Sequence, residues 1–271
     1  SKGTAGWNLY EIDNNGFWRH IQNPYSSYGY YFVTDNLSLQ RTITLAKDQF
    51  NLNDVEEIDW YNAYYLHEQD FVNLIDITGT NGGGREFYGE TMNLKQNKLT
   101  ITLPTSYART DMKAHCNIQF AANSGQNTTA SVRVNYAGKT ETKKIKGLTD
   151  EHTRARLDSL ILDVNPVSGS EQIFNFTFSG STSNANAYLN YIELNIPCSL
   201  IMTGNEMPIS SKTIQSKKPV IRYRLQGTTP QTQIWRINDG VHIEQIPTEY
   251  NSNVLTWLGD NTKVEQYVAV N

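Results

Sequence analysis

The chain predicts an all-β fold, a jelly-roll-like β-sandwich flanked by further antiparallel β structure. Three observations carry that expectation. Helical periodicity is nearly absent from the 271 residues. Short alternating runs of Val, Ile, Thr, Tyr and Phe recur throughout, bounded by Gly, Asn, Asp and Pro. Phe174, Phe176 and Phe178 alternate with Asn175 and Thr177, which turns three rings toward one side of a strand, as a core face requires.

The middle third gives the clearest strands. Leu99-Thr100-Ile101-Thr102-Leu103 runs up to Pro104, and Val132, Val134 and Tyr136 share a face opposite Arg133 and Asn135. Residues 135–139 turn the chain into Glu141-Thr142-Lys143-Lys144; Leu157 to Val164 is a further strand and Tyr188 to Ile196 closes the set. Regularly spaced strands of this kind place a sandwich at residues 91–203. All five tryptophans, Trp7, Trp18, Trp60, Trp235 and Trp257, lie outside it. An N-terminal β region (1–90) and a C-terminal antiparallel meander (204–271) are therefore expected, packing on each other. Within the meander, Asn238-Asp239-Gly240 is a hairpin signal. Residues 202–218 read as a linker, and single helical turns are expected at 54–58 and 150–154.

Composition excludes some partners. Net charge is −4 without a basic stripe. The densest basic run, Lys143-Lys144-Ile145-Lys146, reads as a solvated sheet face, so no nucleic-acid partner is expected. No apolar run reaches the length of a membrane-spanning helix. Ser1-Lys2-Gly3 carries neither an initiator Met nor a signal-peptide pattern, as in an expressed piece or a mature form, which leaves the native targeting open. Abundant Asn, Thr, Ser and Tyr with only 18% charged residues suit an exported, cell-surface β protein.

The chemistry-bearing residues do not assemble into a catalytic motif. Cys116 and Cys198 are too few for a disulfide framework and lack zinc-ligand spacing; two buried thiols are expected, a single disulfide being the alternative. His115 and Cys116 are neighbours on a strand and point to opposite faces. Asp13-Asn14-Asn15-Gly16 has Trp18 and Pro24 where a calcium loop needs Gly and Glu, so it reads as a plain turn. Asp163 and Glu193 sit on separate strands with nothing marking them as an acid–base pair. No metal and no cofactor is expected.

One short stretch stands apart: Tyr65-Leu66-His67-Glu68-Gln69-Asp70-Phe71, followed by Gly84-Arg85-Glu86-Phe87-Tyr88-Gly89-Glu90. It resembles the region ahead of the catalytic domain in gingipain-type cysteine peptidases of the type IX secretion signal peptidase (PorU sortase) family. Three later segments are similar in the same order: Tyr191-Ile192-Glu193-Leu194-Asn195, Ile234-Trp235-Arg236-Ile237-Asn238-Asp239, with Arg236 in place of the usual acidic residue, and Gln266-Tyr267-Val268-Ala269-Val270. Asn81-Gly82-Gly83 lengthens the approach relative to that pattern.

The resemblance implies a non-catalytic scaffold at the cell surface or outer membrane. Its implied partners are a following cysteine peptidase domain in the same chain and outer-membrane secretion components. That clan sets its histidine before a glycine, and none of His20, His67, His115, His152 or His242 precedes one, so no catalytic residue is carried over. Tyr65, His67, Glu68, Asp70, Gly84, Arg85, Glu86, Gly89 and Glu90 are expected to be structural. Arg85 is expected to bond a carboxylate, with Glu68, Glu86 or Glu90 as candidate partners, or backbone carbonyls, and Gly84 and Gly89 to accommodate backbone geometry that other residues resist. The alternative is a stand-alone cell-surface binding module, carbohydrate-binding or adhesin-like, using exposed tyrosines such as Tyr107.

Overall fold

The computed structural model describes residues 2–3, 9–13, 16–21, 29–30, 35, 42–74, 87–149, 154–210, 216–237 and 242–271. Every regular element among them is a strand. The centre is a β-sandwich. Its front sheet runs in the order Thr91–Asn93, Asn186–Ser199, Ala114–Asn123, Arg156–Val164, and Trp60–Glu68 pairs with the far half of the long strand Asn186–Ser199. Its rear sheet runs Lys98–Pro104, Glu171–Gly180, Thr129–Tyr136, Lys139–Lys146. Neighbouring strands within both sheets are antiparallel.

Period-two patterning explains the core. Phe174, Phe176 and Phe178 are buried at 0–1% exposure, facing Val132, Val134 and Tyr136 on the neighbouring strand. Tyr136 stacks on Phe174 with centroids 4.1 Å apart, and its hydroxyl donates to Oε1 of the buried Gln172 at 2.9 Å, while Gln172 Nε2 donates to Val167 C=O at 2.8 Å, so both polar groups are satisfied. Across the sandwich lie Cys116, Ile118, Phe120, Leu162, Leu189, Ile192 and Leu194. Both cysteines are free and buried.

A second pair of sheets joins the two ends of the chain. One runs Glu206–Ser210, Gln266–Val270, Gln233–Arg236, Glu244–Ile246, Thr44–Leu45; the other runs Glu249–Asn251, Val254–Asp260, Val220–Gln226, Val55–Ile58. Val55–Ile58 lies parallel to Val220–Gln226, with Ile58 opposite Tyr223, and Thr44–Leu45 is likewise parallel to Glu244–Ile246. The helical turn expected at 54–58 is thus a strand. Its apolar i, i+3 spacing imitates a helix, yet Glu56 and Glu57 are exposed and Glu57 accepts from Arg224 Nη1 of the adjoining strand at 2.7 Å. Within the expected linker, Glu206–Ser210 is an edge strand. The expected turn at 238–240 and most of the one at 150–154 lie outside the described residues.

Tyr223, Trp257 and Tyr267 form the aromatic centre of this second body, with Tyr223 stacked on Trp257 at 4.8 Å. Beside them Arg236 is buried, and its guanidinium reaches Asp48 (2.9 Å), Glu244 (2.6 Å) and Glu265 (3.0 Å). Burial by itself would lower the guanidinium's pKa; the bonds to Glu244 and Asp48 and the charge of Glu265 outweigh that and raise it. Tyr267 donates its hydroxyl to the other oxygen of Glu265.

Candidate functional site

The outer face of the front sheet is polar and covered along the strand Asn186–Ser199 and open at the edge strand Arg156–Val164, where Leu157 and Ile161 are exposed. The hairpin Leu9–Ile12 and Trp18–Ile21 lies on it, closed by a turn in which Asp13 Oδ1 accepts from Phe17 N–H at 2.9 Å and Gly16 takes a φ of 78°. Positive φ is why glycine stands there, and it fits the plain-turn reading of the segment.

Two side chains of the strand Asn186–Ser199 hold the hairpin by its backbone. Asn195 Oδ1 accepts from Trp18 N–H (2.8 Å) while its Nδ2 donates to Trp18 C=O (2.9 Å), so one amide side chain imitates a neighbouring strand. Asn62 Nδ2 donates to the same Oδ1. Glu193 Oε1 accepts from His20 N–H (2.8 Å), His20 Nδ1 (2.8 Å) and Tyr64 O–H (3.1 Å), and Asn117 Nδ2 donates to Oε2 (3.0 Å). Because an ionised carboxylate only accepts, Nδ1 of His20 carries the proton. Its Nε2 sits 3.7 Å from Glu68 Oε1.

Glu193 is 2% exposed. Burial would push its carboxyl up, but the hydrogen bonds from His20 and Asn117 and the His20 charge hold it below the ordinary carboxylate value. The clasp therefore has a pH sense. A depressed folded pKa means that the carboxylate's stabilisation is complete above the unfolded carboxylate range and fades as pH falls through the depressed value. Relative to the intrinsic rate at each pH, amide exchange at Trp18 and His20 should be slow at neutral pH and speed up in acid. Glu193→Gln should speed it at neutral pH by roughly tenfold or more, the loss of one charge-assisted bond, and flatten the pH profile. Unchanged protection in that variant would refute the clasp.

The motif residues are dispersed around this clasp. Glu68 joins it through His20, while His67, on the other side of the same strand, lies 2.9 Å from Glu90 Oε1. Burial raises the Glu90 carboxyl, but the His67 contact brings it below the usual value, and Glu90 Oε2 is buried with no hydrogen-bond partner. Tyr65 lies opposite Leu194, half-buried, and its phenol is pushed up by burial. Asp70 is exposed. At Gly89 a Cβ would meet Gln69 Cβ at 3.0 Å and its carbonyl oxygen at 3.1 Å, and Gly89 N–H donates to Leu189 C=O at 2.7 Å. Close approach, with no strained φ, is the reason for that glycine. Gly84, Arg85 and Glu86 lie outside the described residues.

Sequence reasoning passed over His20, Tyr64, Asn117, Glu193 and Asn195 as a group. The available signal was the strand Asn186–Ser199 itself, where Glu193 and Asn195 alternate with Ile192, Leu194 and Ile196. Both phases are buried there, which requires a cover over the polar phase.

Beside the hairpin, a cleft of about 280 Å³ is lined by Phe17, Arg19, His115, Asn117, Ser159 and Tyr191, among others. His115 stacks on Phe17 at 3.8 Å and contacts Asp163 at 2.8 Å. Ser159 stands opposite Gln119, four residues along the strand from Asp163, roughly 13 Å away at strand spacing. That separation rules out a Ser–His–Asp relay. Neither thiol is activated: burial pushes Cys198 up to about 12 and Cys116 well above its ordinary value. Cys198 lies opposite Tyr61, six residues and roughly 20 Å along the strand from His67. A larger cavity of about 550 Å³ lies where the strand Trp60–Glu68 meets the second body, and its lining includes Trp18, Tyr61, Tyr64, Tyr65 and Tyr267.

These features define an all-β chain built around a β-sandwich whose polar outer face is clasped by a hairpin. Among solved structures, the dimeric latent PorU from Porphyromonas gingivalis is similar over 96% of this chain, with a TM-score of 0.79 at 16% identity. This chain spans 25% of that one. The CBM36-1 domain of a multidomain xylanase from the hindgut metagenome of Trinervitermes trinervoides gives a TM-score of 0.30 at 12% identity, over 49% of this chain and 96% of that domain, too low to equate the folds. No protein-family model and no curated protein matches the sequence.

Proposed function

We propose that this chain is the non-catalytic β scaffold of a larger, exported gingipain-type cysteine peptidase of the type IX secretion signal peptidase family, held at the cell surface or outer membrane. The observation that carries the reading is the fold likeness over 96% of the chain to a quarter of a longer protein. The two inert thiols support it, since a cysteine nucleophile needs a low pKa and a base within hydrogen-bond reach. In this reading the division is 1–90, 91–203 and 204–271. The sandwich and second body orient a following peptidase domain by packing, with outer-membrane secretion components as further partners.

The test is to assay the longer gene product and this chain side by side on a peptide substrate. Hydrolysis is expected from the longer product alone, unaltered by Cys116→Ala or Cys198→Ala. Hydrolysis by this chain, or a gene that encodes no peptidase domain, overturns the reading.

The ring-lined cavity of about 550 Å³ favours a second reading, a stand-alone cell-surface module that binds carbohydrate. A glycan array probed with this chain decides it. Specific capture that Tyr65→Ala and Tyr267→Phe weaken would support the module, and a blank array would remove it.

A further inference from the structure

The outer face of the rear sheet carries charge that nothing in the described structure neutralises. The register places Lys98, Thr177, Arg133 and Thr142 in one row across all four strands, and Thr100, Asn175, Asn135 and Thr140 in the next. On the other side, Ser179, Ser131 and Lys144 form a row, and Lys146 stands opposite Thr129. Lys98, Arg133, Lys144 and Lys146 are all exposed.

The opposite phase of the same edge strand behaves differently. Lys139 pairs with Glu141 at 3.5 Å and Lys143 with Asp158 at 2.9 Å. Among the described residues the four outer-face cations have no carboxylate partner. The one acid of that face, Glu171, lies six residues along its strand from Thr177, roughly 20 Å away. The basic run that the sequence offered as a mere solvated face is half of a one-signed patch on a chain of net charge −4.

The shape of the patch selects its partner. Small polar side chains bond to one another flat against the sheet: Thr100 to Asn175 (3.0 Å), Asn135 to Thr140 (2.7 Å) and Ser131 to Ser179 (2.7 Å). The lysines and the arginine stand above this floor on three of its four strands, with Lys98 and Arg133 about 10 Å apart at strand spacing. A polymer would be tracked by a line or groove of charge, and bases or sugar rings would need aromatic platforms. This face has neither. A two-dimensional array of cations on a plane matches a plane of phosphate headgroups, with Arg133 able to hold a phosphate bidentately.

We propose that the outer face of the rear sheet docks on an anionic phospholipid surface through Lys98, Arg133, Lys144 and Lys146. The contact is peripheral, because no apolar residue stands among the four cations to insert, and it is salt-sensitive. It stands whether or not a peptidase domain follows.

The experiment is co-sedimentation of the chain with phosphatidylcholine vesicles, plain or doped with phosphatidylserine, across a range of salt. Binding to the doped vesicles alone, lost at high salt, is expected. Lys144→Gln with Lys146→Gln should weaken it about 25-fold at unchanged melting temperature, and Lys98→Gln with Arg133→Gln is the second pair should the first disturb folding. Lys217→Gln, an exposed lysine on the second body, should have no effect. Equal binding to neutral vesicles, no binding, or insensitivity to both pairs overturns the proposal. Capture of soluble dextran sulfate without vesicle binding also overturns it and assigns the patch to a soluble polyanion.

Discussion

Phe176→Ala is expected to destabilise the protein by about 3–5 kcal/mol, the usual cost of truncating a fully enclosed ring. Phe176 is 1% exposed and lies between Leu99 and Val134 in the middle of the rear sheet's inner face, where packed neighbours cannot collapse into the gap. Urea unfolding should show the midpoint falling with the slope preserved, since the fold and its buried surface are retained. Phe176→Leu, which keeps most of the volume, should cost much less. A loss under about 1 kcal/mol for the alanine variant would contradict the tight packing of this layer.

Arg236→Ala is expected to cost a similar amount, about 3–5 kcal/mol, for a different reason. The side chain is 8% exposed, and its partner Glu265 is wholly buried. Removing the guanidinium takes from that buried carboxylate its closest charge partner and leaves it the Tyr267 hydroxyl, Asp260 N–H at 3.1 Å and the exposed Lys263, whose Nζ is 3.5 Å away. Arg236→Lys keeps the charge but cannot serve Asp48, Glu244 and Glu265 together, so it should recover only part of the loss. Arg236→Ala combined with Glu265→Gln should be less damaging than the sum of the two single changes, because the stranded charge is gone. Strict additivity would show that the cluster is not coupled.

The rings of the sandwich were legible because alternation is a local code. Phe174, Phe176 and Phe178 need only Asn175 and Thr177 between them to announce which way they face. Arg236 was not legible as a cluster: alternation sets it in phase with the buried Ile234, but nothing local names its partners, Glu244 on the adjoining strand and the sequence-distant Asp48 and Glu265. Glu193 failed for the same reason, since its cover, Trp18–Ile21, is far away in sequence. The strand Val55–Ile58 misled through apolar spacing that fits a helical turn as well as an edge strand. Its parallel pairing to Val220–Gln226 is a fact of topology that four residues cannot encode. Of the motif stretch, the pairing of His67 with Glu90 and the tight spot at Gly89 both lay within the segment that the sequence singled out.

That parallel pair also governs the order of assembly. Ile58 meets Tyr223 only after the intervening chain has been brought back on itself, and closing so long a loop through a disordered chain costs entropy before any contact repays it. A folded sandwich shortens the gap by holding its own ends in place. The central unit is therefore expected to condense first, with the second body forming by capture of the waiting N-terminal strand; pulse-labelled amide exchange that protects Tyr223 before Phe176 would contradict this order. Until then the emerging chain carries an unpaired strand edge, and the vulnerable interval in its biosynthesis lasts until Val220–Gln226 has been made.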